Sequence, residues 1–478
     1  MAQAAEPPSG TRDFLADDVR RRRAAFETIG AVFERYGFDP LETPAFERLE
    51  VFAGKLGEEA SSLIFKILKR GVHEATGEAD LALRYDHTVP LARVVGTYGS
   101  KLPSPYKRYA IGPVWRADRA AKGRFREFVQ CDIDTVGSAS PLADAEIVCA
   151  VHDGLTALGI RDFQFLVNSR QALRGLLEAY HVDPDLGGKV LGSLDKLDKV
   201  SPDAVCAELI ERGLTTATAE DLVADVTARD TDHLRKQLDT TERGRLGLAE
   251  VDRLLELTVG LPADRIVFSP RMVRGLDYYT GPIFEVTATG YPGSIASGGR
   301  YDGLVAKLGG PDLPACGGSI GVERILAIQA ADETDQRGLD VALTVFGAED
   351  DIMWLAGQIR ARGLRTGVYL GASGKLAKQL KWAHDQHAHT VLIYGPDEQK
   401  IREVTVRNME SGEQTPVPIA EVGVYLHNLH RASARIETLR KHDDDEAKAE
   451  KNGSGTYDPD KVEDPSKNGG RHDEDKRD

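Results

Sequence analysis

Basic side chains are concentrated in residues 114–130, and this concentration suggests phosphate binding. Within this segment Gly123 is surrounded by Arg116, Arg119, Lys122, Arg124 and Arg126. A guanidinium presents a planar fork of donors that can grip phosphate oxygens bidentately, whereas an ammonium acts as a point charge. Glycine allows such a loop to fold sharply around a ligand. On charge alone, however, a solvated basic hairpin is the better interpretation.

A second arginine lies in a different setting, the glycine-rich segment 317–326. Its sequence, Gly-Gly-Ser-Ile-Gly-Val-Glu-Arg-Ile-Leu, predicts a strand that runs into a helix carrying Arg324. The chain contains no GxxxxGK[ST] motif, and no GxGxxG between a predicted strand and helix. Any nucleotide phosphates must therefore be held by arginines and not by a P-loop or a dinucleotide-binding turn.

Tyrosines supply polar groups for recognition in two further segments. Tyr278 and Tyr279 end the run Arg-Gly-Leu-Asp-Tyr-Tyr, and Tyr301 follows Ser-Gly-Gly-Arg. Tyrosine pairs more often belong to cores or interfaces. Buried polar groups that form hydrogen bonds with a substrate discriminate strongly against analogues. An analogue that lacks the matching group leaves them unpaired.

The elements that must position these residues predict an α+β catalytic body. Segments 110–115, 128–135, 283–287 and 317–321 are expected to be strands of one mostly antiparallel sheet with flanking helices. Residues 170–260 are rich in Leu, Ala, Glu and Arg at helical spacing, which predicts a helical insertion.

The rest of the chain predicts a second domain and a tail. A linker is expected at 330–338, and residues 339–435 alternate short apolar strands with amphipathic helices, which favours a small α/β domain with a largely parallel sheet. Residues 440–478 have almost no apolar side chains and are expected to be a disordered charged tail. His384, His387 and His389 have a spacing that zinc could use, but a solvated helix end is the preferred interpretation.

Composition limits the partners and the compartment. The net charge of -15 argues against a broad nucleic-acid surface, so any RNA contact must use local basic patches. Residues 441–478 hold 8 Lys or Arg against 13 Asp or Glu and carry -5 of that charge. Four widely spaced cysteines, no long apolar run and an N-terminus without signal-peptide features lead us to expect a cytoplasmic protein.

Taken together, these segments resemble the histidyl-tRNA synthetase family over residues 9–430. Residues 114–130 resemble its motif 2, 273–285 its histidine-specific signature, 317–326 its motif 3 and 39–44 its motif 1. The resemblance implies a class II catalytic domain over 1–329 and an anticodon-binding domain over 339–435.

The resemblance also implies roles for individual residues. For histidine, Asp86 and Thr88 would bind the α-amino group, Gln130 the amino and carboxylate ends, and Asp134 and Tyr279 the imidazole nitrogens, with Tyr278 and Tyr301 beside them. For ATP, the implied residues are Arg116 at the α-phosphate, Asp118 and Phe128 at adenine, Arg124 in the loop and Arg324 at the γ-phosphate. Arg274 would act near the α-phosphate and carboxylate, and Arg116 and Arg274 would be the catalytic pair.

The implied activity is histidine–tRNA ligation by a homodimer, with L-histidine, ATP and tRNA(His) as partners and Mg²⁺ accompanying ATP through unidentified ligands. Neither DNA nor a membrane is expected as a partner. One alternative is a histidine-sensing regulatory subunit of ATP phosphoribosyltransferase, which would lack the C-terminal domain and tend to lose the motif arginines. A synthetase-like sensor domain of a larger kinase is disfavoured because no kinase motifs flank the region.

Overall fold

The structure is a computed structural model that describes residues 6–52, 62–71, 76–119, 124–228, 230–262, 264–273, 278–291, 293–329 and 338–431. The chain divides into two compact units, Met1–Asp335 and Gln336–Asp478. Most of the predicted linker and all of the predicted tail lie outside the described residues.

Strands of the first unit build two sheets. In chain order they are β1 (Asp39–Pro40), β2 (Phe46–Arg48), β3 (Lys66–Leu68), β4 (Ala79–Leu83), β5 (Tyr106–Trp115), β6 (Glu127–Val136), β7 (Phe163–Ser169), β8 (Ile266–Phe268), β9 (Pro282–Ala288), β10 (Ser294–Arg300) and β11 (Ala315–Ile320). Among the described residues, eight strands form a sheet in the order β1-β5-β6-β11-β10-β9-β7-β8, and β2-β4-β3 form a smaller one. The outer pairs β1–β5 and β7–β8 are parallel, and the pairs between them are antiparallel. The prediction of a mostly antiparallel sheet is confirmed.

Helices flank this sheet and extend it into the insertion. They are α1 (Ala16–Arg35), α2 (Leu49–Phe52), α3 (Thr88–Tyr98), α4 (Pro141–Ala157), α5 (Arg170–Ala179), α6 (Gly187–Leu194), α7 (Pro202–Glu211), α8 (Thr216–Thr227), α9 (Asp232–Asp239), α10 (Glu242–Leu257), α11 (Leu304–Lys307) and α12 (Val322–Gln329). Short 3₁₀ turns occupy Gly99–Lys101, Pro184–Leu186 and Asp195–Asp198.

One face of the large sheet is closed by a hydrophobic core. Val129, Cys131 and Ile133 of β6 are buried in a cluster with residues of α1, α4 and α10. Because side chains alternate across a strand, the even-numbered residues of β6 must point to the opposite face. That second face is where the candidate site is built.

The insertion is a helical layer with its own core. Helices α5 to α10 lie within the predicted range 170–260 and bury leucines and valines against one another. Ser201, Thr215 and Thr241 each accept a hydrogen bond from the amide of the third residue of the following helix, which defines where those helices begin. A Cβ on Gly175 of α5 would lie 2.2 Å from the amide nitrogen of Gly244 of α10, so these helices can approach closely only with glycine at the contact.

The second unit contains β12 (Val341–Leu343), α13 (Glu349–Arg360), β13 (Thr366–Val368), α14 (Leu376–Asp385), β14 (Thr390–Ile393), α15 (Pro396–Ile401), β15 (Glu403–Asn408) and β16 (Gln414–Pro418). Its sheet has the order β13-β12-β14-β15-β16, in which β12 pairs in parallel with β13 and β14. The pairs β14–β15 and β15–β16 are antiparallel, so the predicted largely parallel sheet is corrected to a mixed one. Residues 394–402 are too few for a parallel crossover, which needs about a dozen or more.

Within the described part of the chain, none of the helices combines the length and apolar character that a bilayer crossing requires.

Candidate active site

The site is built on the second face of the large sheet, around β6. Phe128, Gln130, Asp132 and Asp134 alternate with the core-facing residues and therefore share this face. The strand register places Arg108 of β5 opposite Asp134, and on the other side it places a glycine of β11, Gly317, opposite Asp134 as well.

A buried ion pair lies at the bottom of this surface. Arg108 is fully buried, and its Nη2 lies 2.8 Å from Asp134 Oδ2 and donates to the carbonyl oxygen of His87 at 2.9 Å. The contact with Asp134 Oδ2 lacks hydrogen-bond geometry, so this oxygen keeps its capacity to accept. Tyr301 donates its hydroxyl hydrogen to Asp134 Oδ1. Burial raises the pKa of Asp134 to about 6, although Arg108 and Tyr301 favour the ionised form.

Glycine lets the neighbouring strands approach this carboxylate and the tyrosines closely. A Cβ added at Gly317 would lie 2.1 Å from Asp134 Oδ1, and one added at Gly299 would lie 3.1 Å from Tyr279 Cδ1. The rings of Tyr278 and Tyr279 meet edge to face at 5.2 Å between centroids, and those of Tyr278 and Tyr301 at 5.8 Å. The three predicted tyrosines thus form one aromatic wall next to Asp134.

A second carboxylate enters from the segment before α3. Asp86 Oδ1 accepts the amide hydrogen of Val89 at 3.0 Å, while Oδ2 has no hydrogen-bond partner in the described residues. Burial raises the pKa of Asp86 to about 6, against the effects of that hydrogen bond and of Arg116. Thr88 is the first residue of α3 and is buried next to this carboxylate.

His87, the residue between Asp86 and Thr88 in the chain, has a buried side chain. Its Nε2 donates to the carbonyl oxygen of Gly112 at 3.1 Å, since a carbonyl can only accept. Burial, followed by Arg108 and Arg84, lowers the pKa of His87 to about 3. His87 therefore fixes the chain between Asp86 and Thr88 without adding charge.

Arg116 leaves β5 at the rim of the site. Its Nε donates to the carbonyl oxygen of Tyr85 at 3.1 Å and its Nη2 to Gln130 Oε1 at 3.3 Å. Gln130 Nε2 in turn donates to Ser319 Oγ at 2.9 Å. The Arg116 guanidinium also lies 5.1 Å from the ring centroid of Phe128. A fixed cation is thereby held between the carboxylates and an aromatic ring.

The remaining predicted ATP residues are less enclosed. Arg124 is largely exposed, and its Nη1 lies 3.8 Å from Asp118 Oδ1. Arg126 Nε donates to the Asp118 carbonyl oxygen at 3.0 Å. Arg324, at the start of α12, donates to the carbonyl oxygen of Ser294 on β10.

Some predicted residues cannot be placed on this surface. Arg274, Lys122 and Gly123 lie outside the described residues. In the described part of the chain no group of three or more His, Cys, Asp or Glu side chains is arranged to hold a metal ion, and His384, His387 and His389 form none. The described residues thus provide no dedicated metal cage.

Sequence reasoning missed several polar residues of the site. Arg108, His87, Asp132 and Ser319 all lie on or under the same face. The alternation of β5 could have indicated Arg108, because this residue lies on the same face of the strand as buried Tyr106 and Ala110. An unpaired charge is costly at such a position. A charge at a core position of a strand indicates a buried partner or ligand.

Chemically, this surface has three buried carboxylates, Asp86, Asp132 and Asp134, that can accept N–H groups, and Arg116 at its rim can neutralise phosphate. Together with the antiparallel sheet and the helix after β11, this is the architecture of a class II aminoacyl-tRNA synthetase catalytic domain. A family model described as histidyl-tRNA synthetase matches residues 10–325, and one for an anticodon-binding domain matches residues 340–429. The chain belongs to the histidyl-tRNA synthetase family.

Individual relatives agree with this assignment. A histidine–tRNA ligase of Gloeobacter violaceus is 38% identical over 87% of this chain and 96% of its own length. Another, from Cereibacter sphaeroides, is 38% identical over 91% of this chain and 95% of its own length. Among solved structures, a histidyl-tRNA synthetase from Nostoc sp. PCC 7120 is 28% identical with a TM-score of 0.72, over 89% of this chain and 99% of that one.

Proposed function

We infer that the chain is a histidine–tRNA ligase, which activates L-histidine with ATP and transfers it to the 3′ end of tRNA(His). Asp134 carries this inference. It is an ionisable acceptor at the bottom of a tyrosine-lined surface, held from below by Arg108 and from the side by Tyr301. An imidazole N–H is the kind of donor that such an acceptor selects, because an apolar side chain would leave it unpaired.

We propose that the two carboxylates divide the recognition of histidine between them. Asp134 and Tyr279 would bond the imidazole nitrogens, while Asp86 Oδ2, which is buried without a partner in the described residues, would accept from the α-ammonium beside Thr88. Gln130 would contact the amino and carboxylate ends, and Tyr278 and Tyr301 would enclose the ring.

The arginines would provide the charge for adenylate formation. The histidine carboxylate attacks the α-phosphorus of ATP in line, and pyrophosphate leaves with the electrons of the broken P–O bond. Arg116, joined by Arg274, would neutralise the charge that develops on the α-phosphoryl oxygens. Removal of a fixed donor of this kind costs about 3 to 4 kcal/mol in barrier.

The other ATP roles follow the order of the motifs. Phe128 would stack on adenine, with Asp118 and Arg124 at the same end, and Arg324 would bind the γ-phosphate. In this structure Arg116 lies over Phe128 and Arg324 bonds a backbone carbonyl, so ATP binding would replace both contacts.

Aminoacyl transfer would complete the reaction. The terminal ribose hydroxyl of tRNA(His) attacks the carbonyl carbon of histidyl-adenylate and AMP leaves. Residues 339–435, which include the stretch matched by the anticodon-binding model, would bind the anticodon end.

Three further properties belong to this proposal. Mg²⁺ would accompany the β- and γ-phosphates, held mainly by phosphate and water oxygens, as is usual for this ion. A homodimer formed through the motif 1 region, residues 39–44, is the expected assembly. A cytoplasmic location agrees with four free cysteines, at positions 131, 149, 206 and 316.

The test is amino-acid-dependent exchange of pyrophosphate into ATP, followed by charging of tRNA(His). We expect exchange with histidine and not with other amino acids, and a loss of about 100-fold or more in Arg116→Ala and Arg274→Ala. Arg21→Ala is the control, because Arg21 pairs with Asp18 on the surface of α1. Histidine binding without exchange would refute ligation and support the regulatory-subunit alternative, which the relatives do not favour.

A further inference from the structure

The residues before α1 connect the two arginine-bearing segments of the ATP site. Gly10 accepts the amide hydrogen of Arg126 at 2.7 Å through its carbonyl oxygen, and Ser9 accepts from Arg126 Nη1 at 3.3 Å. Gly10 has a φ of 84°, and a Cβ there would lie 2.8 Å from Arg126 Cγ. Residues 9–14, here called the N-terminal strap, are therefore fixed against the strand entering β6.

Arg12 is the centre of this strap. Its guanidinium lies 3.5 Å from the ring centroid of Phe125, a cation–π distance. Its Nη2 also donates to Glu323 Oε2 at 2.6 Å. Phe125 directly follows Arg124, and Glu323 directly precedes Arg324, so one side chain contacts the neighbours of two predicted ATP ligands.

Glu323 depends on such partners because its side chain is only 7% exposed. Arg22 of α1 pairs with Glu323 Oε1, and its own guanidinium lies 3.8 Å from the ring centroid of Phe14 in the strap. A buried carboxylate that loses one of its cationic partners is left with uncompensated charge. Removal of Arg12 should therefore disturb the first turn of α12. This turn carries Arg324, which donates to the carbonyl oxygen of Ser294.

We propose that Arg12 is a positioning residue for ATP: through Phe125 and Glu323 it sets the geometry of Arg124 and Arg324 relative to each other. This proposal rests on the ligase function proposed above. Among the described residues, the ion-pair and cation–π contacts of Arg12 are with Glu323, Phe14 and Phe125, and none involves Asp86, Asp134 or the aromatic wall. Loss of Arg12 should thus affect ATP and leave histidine binding alone.

The experiment is steady-state pyrophosphate exchange on the full-length chain with Arg12→Ala, Arg12→Lys and the control Arg21→Ala. A displacement of about 1 Å in a positioning group can cost about 100-fold. We expect Arg12→Ala to raise KM for ATP by about 10-fold to 100-fold with KM for histidine within about twofold. Arg12→Lys should recover part of the loss, since an ammonium can still pair with Glu323 but cannot stack as a guanidinium does.

Two outcomes would overturn the proposal. One is an equal change in KM for ATP and KM for histidine in Arg12→Ala. The other is that neither KM changes while the variant keeps the thermal midpoint of unfolding of the wild type. If Arg12→Ala does not fold, Phe125→Leu removes the stacking and keeps the ion pair, and it must show the same ATP-selective effect. Failure of the ligase function itself is recognised separately, because the wild-type chain would then show no histidine-dependent exchange.

Discussion

Substitution of Gly317 by alanine is the most direct test of the proposed histidine site. A Cβ at this position would lie 2.1 Å from Asp134 Oδ1 and 2.7 Å from the carbonyl oxygen of Ile133. Unbonded carbon and oxygen atoms do not approach closer than about 3 Å, so Asp134 must move by about 1 Å from its place between Arg108 and Tyr301. A 1 Å misplacement costs about 100-fold in rate, equal to about 2.7 kcal/mol.

We therefore expect Gly317→Ala to lower kcat/KM for histidine by about 100-fold in pyrophosphate exchange, with KM for ATP within about threefold. Gly188→Ala is the matched control, because Gly188 is exposed in α6 and a Cβ there meets nothing within 4 Å. Circular dichroism and the thermal midpoint of unfolding would establish that both variants fold.

A double-mutant cycle separates an effect through Asp134 from general distortion. If alanine at 317 acts by displacing Asp134, adding Gly317→Ala to Asp134→Ala should cost little more than Asp134→Ala alone. Full additivity of the two losses, or unchanged histidine kinetics in a folded Gly317→Ala variant, would refute the placement of imidazole at Asp134.

Three other predictions concern charge. Burial raises the pKa of Asp86 to about 6, so this carboxyl group ionises between about pH 5 and pH 7. Because the ionised form pairs with the α-ammonium, the affinity of the wild type for histidine, divided by that of Asp86→Asn, should rise over that interval. Calorimetry at several pH values checks this, because the titration of free histidine cancels in the ratio, and a ratio independent of pH would contradict it. Asp144→Ala should lower the free energy of unfolding by about 3 to 5 kcal/mol in urea, since Asp144 is the buried partner of Arg300, and a loss below about 1 kcal/mol would contradict this. Arg324→Ala should raise KM for ATP in pyrophosphate exchange and leave KM for histidine unchanged, and a change confined to histidine would contradict the γ-phosphate role.

The sequence predicted four of the eight described strands of the catalytic sheet, because these four carry strong local signals, and it did not identify β1, β7, β8 or β10. Alternating and glycine-containing segments predicted β5, β6, β9 and β11. In the structure β6 pairs with β5 and β11, and β10 with β11, all in the antiparallel sense. The sheet of the second unit was predicted less well, since β15 follows β14 after a connection too short for a crossover, and apolar runs do not reveal strand direction. The position of Asp134 could be expected from the motif, but its pairing with Arg108 could not. That contact depends on cross-strand register, which is a tertiary property.

The same limit applies to the N-terminal strap. Arg12 and Glu323 are 311 positions apart, so no window of sequence relates them. They meet because α1, which follows Arg12, and α12, which carries Glu323, pack against β6 and against each other. Such contacts escape motif reasoning because each residue alone resembles an ordinary surface charge.

Buried polar atoms without partners explain why this surface should select its ligand strongly. Among the described residues, Asp86 Oδ2, Asp132 Oδ1 and both Nε and Nη1 of Arg108 are buried and make no hydrogen bond. Each such group costs about 1 to 3 kcal/mol while it remains unpaired. A substrate with an ammonium and imidazole N–H groups can recover part of this cost at the carboxylates, whereas an apolar amino acid of similar size recovers less. Selectivity would then arise from the pairing of these buried polar groups with the substrate.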